Sequence, residues 1–310
     1  MKKILRYLFD IILKKKKILI IYRYGQAVGD HLLITGLIKL IKSQYDYKIF
    51  VFTCYPDLFK NNKKIEKVFK LKFNLLSSLL VKFFNFLKCE NIKEFLNRSN
   101  NPGKIFGLSQ FKDIHITQYQ SINFNLNINY ENLKNEIFFS NEEKDIFKKK
   151  FNLPHEYGLV QSGGKVSFTP NREWGSENFQ KVINDLKNVN WVQIGGNNDI
   201  ILKNTNYFYY GNSLRELAYI VSNSKFFLCQ EGFYYHLANA FLTKKFLIMS
   251  GFMHRNNIFY KNNNNIFIHQ TDKLECYPCY KLYKCDSCKK NLQLIKPSNV
   301  VQIIKSNIDI

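Results

Sequence analysis

Nowhere in its 310 residues does the chain carry a run of about 18 uncharged apolar residues, the length a helix needs to cross a bilayer. The nearest approach, residues 71–87, is interrupted by Lys72, Asn74 and Lys82, which argues against a spanning helix. Acid is scarce: 24 Asp and Glu stand against 46 Lys and Arg, for a net charge of +22. A surface this basic favours acidic partners, whether anionic lipid headgroups, phosphorylated sugars or nucleic acid. Cysteine is too sparse for a secreted disulfide scaffold, at seven unevenly placed residues. Cys54, Cys89 and Cys229 lie in apolar surroundings and read as core thiols. A small-residue cleavage site is missing from the first residues, and Arg6 and Asp10 break their apolar run. Residues 1–16 therefore read as a short amphipathic basic helix rather than a signal peptide. The full dinucleotide glycine pattern is absent as well. Gly25 and Gly29 alone stand in the first strand-to-helix loop, so no nicotinamide site is assigned.

Hydrophobic residues make up 45% of the chain, enough to exclude a disordered protein and to build a sizeable core. The stretch from Phe226 to Phe241 organises the rest. An apolar run, Phe226 to Cys229, reads as a buried strand. It breaks at Glu231-Gly232 and resumes at helical spacing through Leu237, Ala240 and Phe241, and a second apolar run follows at residues 245–250. Strand, loop, helix, strand is a parallel βαβ unit, and ligands of such sheets sit where the loops leave the strand ends. Glu231, Gly232 and His236 are thus ligand-facing candidates. In the alternative reading Glu231 caps the helix and His236 is a packing residue.

The same pattern opens the chain. Residues 17–22 are a strand, a loop leads to Asp30, His31 to Lys42 is helical, and residues 48–53 are the next strand. Asp30 sits where a helix begins, either capping its amides or facing the cleft as a base. Residues 65–69 and 112–117 read as further strands, 73–96 as mostly helix, and 140–150 as a helix with a Ser140/Glu143 capping box. Pro154 marks a linker. Beyond it the pattern restarts with a strand at 157–161, a Ser162-Gly163-Gly164-Lys165 turn and a helix after Trp174. Strands at 191–194 and 207–210 follow, then a helix capped by Ser213 and Glu216, and a final helix from Pro297. Two successive α/β halves, 17–153 and 154–310, imply two doubly wound Rossmann-like domains facing a cleft.

Three stretches carry a family resemblance in the same order and spacing. They are Ile20 to Thr35 with its Gly29-Asp30 pair, Asn171-Arg172-Glu173-Trp174 leading into Glu177-Asn178-Phe179, and Gly211 to Ala218 followed by His236-Leu237-Ala238. The chain resembles glycosyltransferase family nine, the ADP-heptose:lipopolysaccharide heptosyltransferase-like family, whose fold is GT-B. It departs where the family often has Asp-Ser-Gly or Asp-Thr-Gly, here Glu231-Gly232-Phe233, and where Thr35 is followed by Gly36 instead of Pro. The resemblance implies an inverting, metal-independent transfer of a sugar, heptose being the common one, from a nucleotide-diphosphate donor such as ADP-heptose. The acceptor it implies is a cell-surface glycan or glycolipid such as lipopolysaccharide core or capsule, or a protein in some relatives. It makes Asp30 the general base, because the attacking hydroxyl must lose a proton to a carboxylate within hydrogen-bond reach. It places the leaving diphosphate on cations and backbone amides, first Arg172, then Lys165 with Gly163, Gly164 and Gly232. Glu231 would accept from sugar or ribose hydroxyls. Localisation is expected in the cytoplasm, peripheral to the anionic inner-membrane surface.

Cys276-x-x-Cys279 and Cys285-x-x-Cys288 are separated by five residues, a spacing that can close one tetrahedral zinc or iron site. Reduced structural thiols and a disulfide pair are the alternatives. Protein-modifying heptosyltransferases, which this region resembles, bind iron through four cysteines at wider spacing. The metal would be structural, and catalysis itself is expected to need no cofactor. Two rival readings remain. A basic nucleic-acid-binding protein with a four-cysteine knuckle fits the charge but leaves the strand–loop–helix order unexplained. A GT-B sugar-nucleotide epimerase or hydrolase fits the fold.

Overall fold

The structure, a computed structural model, describes residues 2–87, 89–95, 114–121, 124–163, 168–261, 264–271 and 274–309. The chain divides into two compact units. One holds the described residues up to 95 together with Ile116–Ser140, and the other holds residues 114–115 and Asn141–Ile310.

The first unit opens with helix α1 (Lys2–Lys15). Strand β1 (Ile18–Arg23), helix α2 (Val28–Gln44) and strand β2 (Lys48–Thr53) then form a βαβ unit. Strand β3 (Lys67–Lys70), helix α3 (Leu75–Leu87), strand β4 (Ile92–Glu94) and helix α4 (Ile116–Ser121) complete it. The four strands are parallel in the order β3-β2-β1-β4, with Ile20 level with Phe50 on one side and Ile92 on the other. Strands buried on both faces need apolar residues at nearly every position, which is why the run around Ile18 to Tyr22 is continuous. Tyr22 and Phe84 pack with centroids 5.2 Å apart, bringing α3 onto the sheet.

The second unit begins with helix α5 (Asn141–Lys150) and strand β5 (Gly158–Val160). Helix α6 (Ser176–Asp185), strand β6 (Trp191–Gly195), strand β7 (Tyr207–Tyr210) and helix α7 (Leu214–Ser222) follow. Strand β8 (Phe226–Gln230), helix α8 (Phe233–Ala238), strand β9 (Lys244–Ile248) and strand β10 (Asn265–Ile268) come next. Helices α9 (Asp286–Leu294) and α10 (Pro297–Lys305) close the chain. Six parallel strands lie in the order β10-β9-β8-β5-β6-β7. The sequence order reverses direction between β5 and β8, the position at which open α/β sheets form their ligand crevice. Every residue of β6 and β8 is buried, and Trp191 meets Phe226 edge to face at 5.3 Å.

Several expectations shift. Helix 73–96 ends at Leu87, and a short strand follows it. Of the strand read at 112–117, residues 116–117 open a helix, Ile116–Ser121, while 112–113 fall outside the described residues. Strand β10 and helix α9 had no sequence signal strong enough to place them. The buried Glu143 carboxylate accepts from Arg215 Nε at 3.1 Å and Nη2 at 2.8 Å. Phe147 and Phe151 pack on Tyr219, so α5 belongs with the second unit and the division falls at Asn141, ahead of the expected 153/154. The capping box at Ser213 and Glu216 forms as read.

Candidate functional site

In the first unit the strand order reverses at β1 and β4, and the residues leaving those strands converge. Arg23, the last residue of β1, is 4% exposed and donates from Nη2 to Asp30 Oδ2 at 2.8 Å and from Nη1 to the Tyr24 carbonyl at 2.8 Å. Helix α2 starts at Val28, so Asp30 is in its first turn and not at its cap, which is Ala27. The carboxylate is therefore oriented by Arg23. Gly25 has φ +154, a backbone conformation that residues with a side chain rarely adopt, and a Cβ there would lie 3.2 Å from Arg23 Nη2. His31 pins the loop: Nε2 donates to the Gly25 carbonyl at 3.0 Å, and Nδ1 accepts from Thr53 at 2.7 Å. Burial first, and the Arg23 charge second, push the His31 pKa down to about 4, so the ring stays neutral. Glu94, at the end of β4, is raised by burial while Arg23 draws it down.

In the second unit the ends of β5 and β8 carry the other group. Arg172 closes a 3-10 turn, Pro170–Arg172, begun by the Thr169 cap. Its guanidinium stands over the rings of Phe168, at 5.1 Å, and Phe252, at 5.7 Å. Among the described residues no carboxylate forms an ion pair with it; Glu231 and Glu173 act on it through their fields. A cation held by aromatic faces and lacking a direct carboxylate mate keeps its donors available for an anion. Glu231 follows β8 and is buried. Its Oε1 accepts from the Ser250 amide at 3.0 Å and the Ser250 hydroxyl at 3.1 Å, tying the end of β8 to the end of β9. It does not cap α8, whose cap is Gly232. Glu231 Oε2 is buried without a hydrogen-bond partner among the described residues, an acceptor waiting for a donor.

Burial raises the Glu231 pKa to about 7, with Arg172 and Ser250 pulling the other way. The folded value lies above the ordinary 4.5, so the folded state binds the extra proton between those pH values. The contribution of Glu231 to stability is fullest below pH 4.5 and falls as pH rises through about 7. That difference is worth about 3 kcal/mol. Glu231→Gln keeps the acceptor for Ser250 and loses the ionisation. Its stability relative to the natural chain should rise by about that amount from acid to neutral pH in thermal unfolding; a pH-independent difference would reject the assignment.

His236 is buried in helix α8. Its Nδ1 bonds Tyr260 Oη at 2.8 Å, and burial first, then the nearby Arg172 charge, lower its pKa to about 4. Gly163 lies against the Asp199 side chain: a Cβ there would overlap that carboxylate, which accepts from the Gly196 amide at 2.9 Å. Gly164 and Lys165 lie outside the described residues.

The four clustered cysteines meet. Their Sγ atoms all lie within 4.8 Å of one another, with Cys276 and Cys285 at 3.7 Å. A tetrahedral ion bound at ~2.3 Å separates its sulfurs by ~3.8 Å. The donor set and spacing fit zinc or iron, and all seven cysteines are free thiols. The loop that carries them is fastened to the Arg172 turn. Asn171 donates to the carbonyls of Lys281 at 2.7 Å and Tyr283 at 2.9 Å, and accepts from the Cys285 amide at 2.8 Å. The Cys279 and Tyr280 amides donate to the carbonyls of Gly251, at 2.8 Å, and Phe252, at 2.9 Å. Arg23, His31, Asn171, Ser250 and Phe252 were not singled out from sequence, since nothing in their local patterns separates them from ordinary loop or core residues.

No protein-family model matches the chain, and no curated protein is similar to it in sequence. Solved structures are similar in fold. A glycosyl transferase family 9 protein from Veillonella parvula has TM-score 0.67 at 14% identity, over 93% of this chain and 96% of that one. The Escherichia coli ADP-heptose lps heptosyltransferase II has TM-score 0.64 at 13% identity, over 93% and 98%. The fold is that of the family nine glycosyltransferases. The iron-containing heptosyltransferase TibC, solved with ADP-D-β-D-heptose, has it too, with TM-score 0.64 at 12% identity over 93% of this chain and 75% of that one. The chain is α/β throughout, with the parallel, doubly wound sheets of the GT-B fold.

Proposed function

We propose that the chain is an inverting glycosyltransferase of family nine, which moves a sugar from an ADP-linked donor to a glycan or glycolipid acceptor. One observation carries most of the weight. At the strand-order reversal of the second sheet, a guanidinium without a direct carboxylate mate stands near a buried carboxylate oxygen that lacks a donor. Arg172 would take the diphosphate, whose charge grows as the bond to the sugar breaks. Glu231 Oε2 would accept from a hydroxyl of the ribose or the transferred sugar. Asp30, oriented by Arg23, would take the proton of the attacking acceptor hydroxyl. The fold likeness to proteins solved with ADP-heptose supports a donor of that class. Heptose is the first choice of sugar.

Cys276, Cys279, Cys285 and Cys288 would hold zinc or iron in a closed structural site. The bound ion would fix the loop that Asn171 ties to Arg172. The cluster also favours a second acceptor reading, a protein instead of a glycan, and transfer assays with both acceptor classes separate the two.

Calorimetry with ADP and ADP-heptose tests the donor. Arg172→Ala should weaken ADP binding about tenfold or more, the loss expected for one charge-assisted phosphate contact. Equal affinity in both proteins would remove Arg172 from the site.

A further inference from the structure

Helices α1 and α3 are amphipathic in the reverse sense at their outer faces. In α3, Ser77, Phe84 and Leu87 turn inward, while Leu76, Leu79 and Phe83 fall on one outward arc. Leu75 and Leu76 are 75% and 76% exposed. In α1, Leu13 is buried, and Leu8, Ile11 and Ile12 share one exposed arc that continues into Lys15. The helices touch through Phe9 and Phe83, with centroids 6.2 Å apart, so the two arcs belong to neighbouring elements of one unit. Contiguous exposed apolar side chains of this kind mark an interaction surface.

The charges around them say what it meets. Lys15 and Lys16 at the end of α1, Lys72 ahead of α3 and Lys82 within it are all exposed. Helix α3 contains no acid. The one acid of α1, Asp10, accepts from the Glu90 amide at 2.9 Å. A second copy placed symmetrically on this face would set lysines against lysines. An apolar stripe rimmed by cations complements an anionic lipid surface, with leucine and phenylalanine entering the acyl boundary and lysine meeting headgroup phosphates. Among the described residues no helix is long and apolar enough to cross a membrane, so the contact is lateral. We propose that the outer faces of α1 and α3 together form a docking surface for an anionic bilayer. Helix α3 supplies most of the apolar insertion. The surface is defined without reference to sugar transfer and stands whether or not the chain has that activity.

Flotation of the full chain with vesicles tests this. One set is phosphatidylcholine alone, and the other contains about a third phosphatidylglycerol, the anionic component. The chain should float with the anionic vesicles and much less with the neutral ones. Leu76→Asp with Leu79→Asp should reduce that partition at least about tenfold, because apolar area is lost and negative charge added. Ile11→Asp with Ile12→Asp should act in the same direction from the other helix. Lys15→Glu with Lys16→Glu should weaken binding to anionic vesicles and leave neutral ones unaffected. All six positions are exposed, and unchanged thermal unfolding confirms that folding is retained. Absence of the natural chain from the anionic vesicle fraction would overturn the proposal. So would full binding by the Leu76/Leu79 variant, or a dimer that this variant dissociates while vesicle binding is absent.

Discussion

Asp30→Asn is expected to fold normally and to lose sugar transfer by about 10²–10⁴-fold, the range a positioned general base supplies. Asparagine can still accept from Arg23 Nη2, so the loop between β1 and α2 keeps its anchor. What disappears is the capacity to hold the acceptor's proton. Donor affinity should be unchanged, because the residues proposed to hold the donor belong to the other unit. Single-turnover assays with saturating donor make the measurement. Turnover within a few-fold of the natural chain would dismiss Asp30 as the base. A variant that binds ADP poorly would show that the substitution disturbed more than proton transfer.

Opening the cysteine site should cost stability and donor affinity together. Cys288 is fully buried among Leu274 and the other sulfurs, so Cys288→Ser removes a ligand and places a hydroxyl in an apolar cluster. With a metal bound, the loss of unfolding free energy should exceed about 4 kcal/mol, since site closure and folding are coupled. The loop would then release the Asn171 contacts to Lys281, Tyr283 and Cys285, and the neighbouring Arg172 would lose its fixed position. ADP binding should weaken in Cys288→Ser and in chelator-treated protein alike. Calorimetric unfolding with metal analysis of reduced protein provides the check. Protein without stoichiometric zinc or iron, whose unfolding a chelator does not alter, would refute the metal site. A destabilised variant that keeps its ADP affinity would instead break the link to Arg172.

The apolar runs by themselves announced the parallel sheets. A strand buried on both faces needs apolar residues at nearly every position, and Ile18 to Tyr22 and Phe226 to Cys229 leave little alternative. Glu231 and the cysteine pairs were legible for the same local reason: a polar break after a buried strand and a spacing suited to one metal ion are properties of a few adjacent residues. The short strand at Ile92–Glu94 was hidden at the end of the stretch read as helix 73–96, because three residues carry too little period to separate strand from helix. Tertiary structure alone decided the partners. Glu143 meets Arg215, and Glu231 meets Ser250, since a buried carboxylate goes to the donor that folding brings near. Arg23 reaches Asp30 only because the chain turns at Gly25, and Arg172 acquires its aromatic walls from Phe168 and from Phe252, which is 80 residues away in the sequence. Sequence determined which segments must be buried, because burial is paid for residue by residue in local hydrophobicity. Only the folded chain determined which charges meet, because a charge pair depends on distances that no local pattern encodes.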